Sequence, residues 1–300
     1  MPNWHEINEE LKQSGSPFDI VRRKYLKELS DKTGRNVIIY YSGWLQKQNI
    51  NGLQVNDADK NGLMTVIHKL DRTKGLDLIL HTPGGETAAT ESIVDYLHSM
   101  FGNDIRAIIP QIAMSAGTMI ACSCKEIIMG LQSNLGPIDP QFNGIPAHGV
   151  VEEFKRAYTE IKADPIKAAI WQPIISKYNP TFVGECEKAI DWSEKMVRDW
   201  LDRNMLSTDP NKKTTIDKII LELGDHALNK SHSRHLSKTK CKNMGLKIVD
   251  LEADKILQDL VLSLHHICIH TLSGTNAFKI IENQNGIAFI QSVQPTINGR

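Results

Sequence analysis

Four short apolar runs are spaced along the first half of the chain, and each is bounded by turn residues. They are rich in valine, isoleucine or leucine, as are strands that are buried on both faces, and cover residues 36–41, 76–81, 105–110 and 126–129. Between them, segments of helical periodicity cover residues 61–70, 86–100 and 116–124. This alternation predicts an α/β fold in which crossover helices join a largely parallel sheet.

The second half of the chain is predicted to be mostly helical. Helical patterns cover residues 150–163, 165–178, 181–206, 214–223 and 250–272. Strand signals return only at 246–249 and in a terminal hairpin over 278–292, and one further helix is predicted at 18–32. We therefore expect an N-terminal helical segment (1–35), a core (36–251) with a helical insertion at about 150–225, and a C-terminal helix and hairpin (252–300).

The composition argues against several classes of function. Lys plus Arg and Asp plus Glu both number 35, so net charge gives no attraction to nucleic acid or to an anionic membrane. Five cysteines without a CxxC pair do not suggest a disulfide framework, and they predict a reducing, cytoplasmic location. The polar first ten residues resemble no signal peptide, and the uncharged run 107–124 contains proline, glycine and serine, so we expect no membrane anchor.

The first segment with candidate chemistry follows the second predicted strand. Residues 76–86, LDLILHTPGGE, run from an apolar strand through Pro-Gly-Gly into an amphipathic helix. Paired glycines at this place let the backbone approach a ligand and leave amides exposed at the mouth of the helix. Gly84 and Gly85 are therefore candidates for stabilising an oxyanion, although a tight turn alone also explains them.

A serine occupies the corresponding place one unit later. Ser115 follows the strand at 105–110 and precedes the small residues Ala116 and Gly117. A serine at such a turn exposes its hydroxyl, and the Ala116 amide is free to bind the charge that develops during acyl transfer. Ser115 is also explained as a helix N-cap. However, ligands of open parallel sheets bind in the crevice outside the carboxyl ends of the strands. This serine and the two glycines are expected to meet there.

Three segments in this order, LILHTPGG, MSAGTMIA and SNLGPIDPQ, resemble the SppA-like and ClpP-like serine peptidases of the ClpP/crotonase superfamily. The resemblance is closest to the serine dehydrogenase proteinases and covers roughly residues 37–251, including HSRHLSKTKCKNMGLKIVDL at 232–251. It implies a ClpP/crotonase-like core of repeated β-α units and the activity of a serine endopeptidase. It also implies that Ser115 is the nucleophile, that Gly84, Gly85 and Ala116 form the oxyanion hole, and that a homo-oligomer acts on peptide or protein substrates.

The sequence leaves several candidates for the general base. ClpP-type enzymes have a histidine near the position of residues 137–139, where this chain has none, and this argues against a ClpP-type Ser-His-Asp triad. SppA-like relatives instead use a lysine, which selects Lys155, 40 residues after Ser115, with Lys162, Lys167 and His148 as alternatives. We expect Lys155 to occupy a partly buried pocket, because desolvation must lower the pKa of its amine before it can accept a proton.

Two other functions stay open at this point. Acyl-CoA hydratases and carboxyltransferases share the fold and would use the glycine amides to stabilise an enolate, and a chain without a complete triad could be a non-enzymatic scaffold. Histidines 232 and 235, and 265, 266 and 270, have short spacings, but no HExxH motif is present. The apolar neighbours of 265, 266 and 270 fit a packed helix whose histidines are hydrogen-bonded, and we expect neither a metal nor a cofactor.

Overall fold

The computed structural model describes Ile7 and residues 18–224 and 231–293. The predicted apolar runs form the strands of one large sheet. These strands, numbered in chain order, are β1 (Asn36–Ser42), β2 (Leu76–His81), β3 (Ile105–Ile109), β5 (Glu126–Met129), β10 (Ile248–Asp250), β11 (Ala277–Asn283) and β12 (Ala288–Ser292). They lie side by side in the order β10, β5, β3, β2, β1, β11, β12. The first five are parallel, and the terminal hairpin joins β1 antiparallel, so the predicted α/β fold is confirmed.

Helices cover both faces of this sheet. They are α1 (Phe18–Thr33), α2 (Ala58–Ile67), α3 (Thr87–Phe101), α4 (Ala116–Ser123), α5 (Ala147–Ala163), α6 (Ala168–Ile175), α7 (Phe182–Arg203), α8 (Lys212–Gly224), α9 (Lys238–Met244) and α10 (Lys255–Gly274). Short 3-10 turns lie at Arg72–Lys74, Pro165–Lys167 and Leu251–Ala253. None of the helices in the described ranges is long and apolar enough to cross a bilayer.

The two faces of the sheet bury alternate residues of each strand. On one face, Val37, Ile39 and Tyr41 of β1 pack with α1 and α10. On the other face, Ile38 and Tyr40 pack toward a larger core built with α2, α3, α4, α7, α8 and α9. Burial on both faces explains why the strands appear in the sequence as unbroken apolar runs.

The helical insertion has a small core of its own, which contains Ala147, Val150 and Val151 of α5 and Cys186 of α7. By contrast, the C-terminal hairpin contributes directly to the main sheet through the pairing of β11 with β1. The division of the chain into the three segments given above stays a prediction.

A second, three-stranded sheet lies at the carboxyl end of the main sheet. It contains β4 (Ile112–Ala113), β6 (Asn134–Leu135) and β9 (Leu236–Ser237), and an isolated bridge joins Thr82 to Ala113. Each of these strands has only two residues. The pairing of these strands brings the segments next to residues 84, 115, 139 and 232 close together. A short hairpin of β7 (Gln141–Phe142) and β8 (Ile145–Pro146) follows β6.

Candidate active site

Ser115 forms the sharp turn between β4 and α4. Its backbone has φ 48° and ψ −113°, in a region that residues with a side chain rarely adopt. Such strain persists only where the surrounding structure enforces it, and it is concentrated at functional sites. The Ser115 hydroxyl makes no capping hydrogen bond to α4, so the side chain does not act as the simple N-cap considered above. It lines an open cleft instead.

The diglycine turn lies directly against this serine. A Cβ atom added to Gly84 would come within 2.6 Å of the Ser115 Cβ and 2.9 Å of the Ala116 nitrogen. Gly84 also has φ +94°, a conformation that favours glycine. The contact and the backbone angle both require glycine here, and they place the turn beside the serine as the sequence predicted.

Gly85 is fixed by Val55, in the loop between β1 and α2. The Val55 N–H donates to the Gly84 carbonyl at 2.8 Å, and the Glu86 N–H donates to the Val55 carbonyl at 2.9 Å. In such a parallel bridge the N–H and C=O of the middle residue, Gly85, point away from Val55. Within the described part of the chain, neither the Gly85 N–H nor the Ala116 N–H donates a hydrogen bond. Two backbone donors next to Ser115 are thus available to a ligand.

A histidine that the sequence analysis did not place in the site faces the same cleft, and a buried carboxylate binds it from behind. His232 Nδ1 lies 2.8 Å from Asp139 Oδ1. The Asp139 side chain is fully buried, whereas that of His232 is 23% exposed. Because Nδ1 donates to the carboxylate, Nε2 is the nitrogen that remains for chemistry in the cleft. His232 lines this cleft together with Ser115 and Gly85.

The pairing of short strands holds these two residues near each other. Asp139 follows Ile138, whose N–H donates to the Leu223 carbonyl at 2.9 Å. His232 lies in a turn closed by the Arg234 N–H and the Ser231 carbonyl at 3.1 Å, just before β9 pairs with β6. The carboxylate thus occupies the segment where the sequence lacks a histidine, and the histidine comes from 93 residues further along the chain.

The lysines considered as bases lie elsewhere. Lys155 is exposed on α5 and does not line the Ser115 cleft, so the partly buried pocket expected for it is wrong. Lys162 is exposed as well, and Lys167 forms an ion pair with Glu160 at 3.5 Å. His148 does not line the cleft either.

The cleft has a volume of about 650 Å³. Its walls are the diglycine turn, the Ser115 turn, the β7–β8 hairpin and part of α7, including Trp192. A second cavity of about 480 Å³ adjoins it and shares Pro83 and His232. Besides Pro83, four apolar side chains line this neighbouring cavity: Trp44, Leu45, Ile112 and Met114.

His81, His265 and His266 lie in a packed cluster away from this cleft. The His265 side chain is buried, its Nδ1 lies 3.2 Å from the Tyr41 hydroxyl, and burial lowers its pKa to about 3. The centroids of the His81 and His265 rings lie 5.4 Å apart. Among the residues that the structure describes, no group of three or more His, Cys, Asp or Glu side chains is arranged to hold a metal ion.

Comparison with known proteins places this geometry in context. Residues 17–262 match the family described as ClpP-like SDH-type serine proteinase. The chain is also similar to two uncharacterized proteins of Methanocaldococcus jannaschii. One is 33% identical over 176 residues, which are 54% of this chain and 60% of that protein. The other is 37% identical over 98 residues, 33% of each chain. The matched regions thus span less than two thirds of either relative.

Proposed function

The chain belongs to the ClpP-like SDH-type serine proteinase family, and from this premise we propose that it hydrolyses peptide bonds with Ser115 as nucleophile and His232 as general base. The observation that carries the proposal is the 2.8 Å hydrogen bond by which buried Asp139 holds His232, a residue that lines the same cleft as Ser115. Since His232 faces this cleft and Lys155 is exposed outside it, His232 replaces Lys155 in the proposed mechanism.

In the proposed reaction, the Ser115 hydroxyl attacks the substrate carbonyl and transfers its proton to His232 Nε2. Asp139 holds the imidazole in the required tautomer and stabilises the imidazolium that forms. The Gly85 and Ala116 amides stabilise the tetrahedral oxyanion, with Gly84 giving the turn its shape. His232 then protonates the leaving amine, and a water molecule hydrolyses the acyl-enzyme by the same steps.

The test is proteolysis by the purified protein. Labelled casein should be cut into acid-soluble fragments, and a serine-directed fluorophosphonate should stop the reaction while a metal chelator leaves it unchanged. Crotonyl-CoA and other short acyl-CoA thioesters should not be turned over. Absence of proteolysis, or proteolysis that the fluorophosphonate does not affect, would contradict the proposal.

The cavity beside His232 predicts a preference on the amine side of the cleaved bond. Because His232 protonates the leaving amine, that part of the substrate lies on the histidine side, where Trp44, Leu45 and Met114 line the wall. Peptides with leucine or phenylalanine immediately after the scissile bond should show a higher kcat/KM than the same peptides with aspartate. Trp44→Ala should reduce this difference. An equal kcat/KM for the two peptide series would contradict the assignment.

We further propose that the protein forms a homo-oligomer. We also propose that it acts in the cytoplasm on peptide or protein substrates. Ile166, Ile170 and Ile174, just before and within α6, are 82%, 64% and 41% exposed and recur every four residues. Apolar surface of this kind favours association. Light scattering at micromolar concentration should give a mass above the 33.7 kDa of one chain, and Ile170→Glu should lower it. A wild-type mass near 33.7 kDa would contradict this proposal.

A further inference from the structure

A buried ion pair lies behind the diglycine turn. Lys279 of β11 and Asp59 of α2 have fully buried side chains, and Lys279 Nζ lies 2.8 Å from Asp59 Oδ1. The Tyr40 hydroxyl donates to Asp59 Oδ2 at 2.7 Å. Replacing a buried ion pair by packed apolar residues is often neutral or stabilising, so the pair is weak evidence of a contribution to stability alone. The other contacts of the Lys279–Asp59 pair indicate a further role.

Both members of the pair bind the backbone of one loop. Lys279 Nζ donates to the Gln54 carbonyl at 2.8 Å, and the Asn56 N–H donates to Asp59 Oδ2 at 3.0 Å. The residue between these two attachment points is Val55. Val55 in turn bonds the Gly84 carbonyl and the Glu86 N–H, on either side of Gly85. The backbone of residues 54–56 and its hydrogen bonds on either side thus join the ion pair to the segment that carries the Gly85 amide.

We propose that Lys279 and Asp59 are positioning residues that fix the Gly85 amide in the orientation needed to bind the oxyanion, an inference that rests on the proposed peptidase function. The pair touches neither Ser115 nor the cleft, and it acts through the loop 54–56. A fixed amide stabilises developing charge without reorganising during the reaction. Loss of the pair should therefore affect the chemical step more than substrate binding.

Lys279→Met tests this inference, because it keeps the length of the side chain and removes the charge that holds Gln54. We expect kcat to fall by roughly 10- to 100-fold with little change in KM, as displacements of about 1 Å in an active site can cost that much. Hydrogen exchange of the Glu86 amide, which donates to Val55, should become faster. Ser115 should keep its place in the turn before α4.

Arg22→Met is the matched control. Arg22 and Glu282 form another ion pair with fully buried side chains, and Glu282 lies on β11 with Lys279. The hydrogen bonds of this pair go to Asp19, Arg23 and Thr271 and not to residues 54–56. Both variants lose a buried charge and some stability, whereas only Lys279→Met should lose kcat and speed exchange at Glu86. A kcat for Lys279→Met within about twofold of the Arg22→Met value would overturn the inference.

Two further measurements keep the test decisive. If Lys279→Met does not fold, Asp59→Asn replaces it, because the amide removes the negative charge. When its oxygen accepts the Tyr40 and Asn56 hydrogen bonds, its NH2 group faces the Lys279 ammonium. If the wild-type protein hydrolyses nothing, the proposed function fails, and exchange at Glu86 still tests the linkage. Exchange that is unchanged in both Lys279→Met and Asp59→Asn would then overturn it.

Discussion

Replacing Ser115 with alanine is expected to abolish hydrolysis and to leave the fold intact. The serine hydroxyl caps no helix, so its removal breaks no hydrogen bond that α4 depends on. Alanine also meets the same backbone strain at φ 48° as serine does. In serine proteases, losing the nucleophile costs about 10⁶ in kcat, so the residual rate should lie near the detection limit.

The measurement is peptide hydrolysis alongside circular dichroism and thermal unfolding. Ser233→Ala is a suitable control, because Ser233 is exposed next to His232 and lines the neighbouring cavity. It should retain most of the wild-type kcat. A folded Ser115→Ala protein that hydrolyses peptides at the wild-type rate would remove Ser115 from the mechanism.

The second large effect is expected at the general base. His232→Gln should reduce kcat almost as much as the loss of Ser115, because removing either member of a serine-histidine pair disables the same step. Lys155→Met should leave kcat nearly unchanged, since Lys155 is exposed and lies outside the cleft. Hydrolysis by the two purified variants, normalised to their folded fraction, checks both expectations together. An active His232→Gln enzyme combined with an inactive Lys155→Met enzyme would return the role of the base to the lysine.

Much of the fold could be predicted because strands buried on both faces appear in the sequence as unbroken apolar runs. The predicted starts of two helices were less accurate. The helix expected at 61–70 is found at Ala58–Ile67, since Asp59 in its first turn is paired with Lys279 inside the protein. The last long helix was expected from residue 250 but begins at Lys255, because Asp250 ends β10 and the next residues form a 3-10 turn.

The candidate site, like the fold, was predicted from the sequence only in part. Gly84, Gly85 and Ser115 were found because each follows a strand of one parallel sheet, and the order of the elements brings such positions to one edge. The proximity of His232 to Asp139 could not be predicted, because the two-residue strands that bring them together have no recognisable periodicity in the sequence. The absence of a histidine at 137–139 was interpreted as the absence of a triad, although the carboxylate there is bound by a distant histidine.

The most direct test of the account is labelling with a fluorophosphonate, followed by mass spectrometry of the peptides. Such a probe reacts much faster with an activated serine than with an ordinary one, so it reports on the nucleophile without knowledge of the natural substrate. We expect one adduct, on Ser115, formed much more slowly in His232→Gln and absent from Ser115→Ala. A folded wild-type protein with no adduct on Ser115, or labelling at equal rates in wild type and His232→Gln, would contradict this expectation.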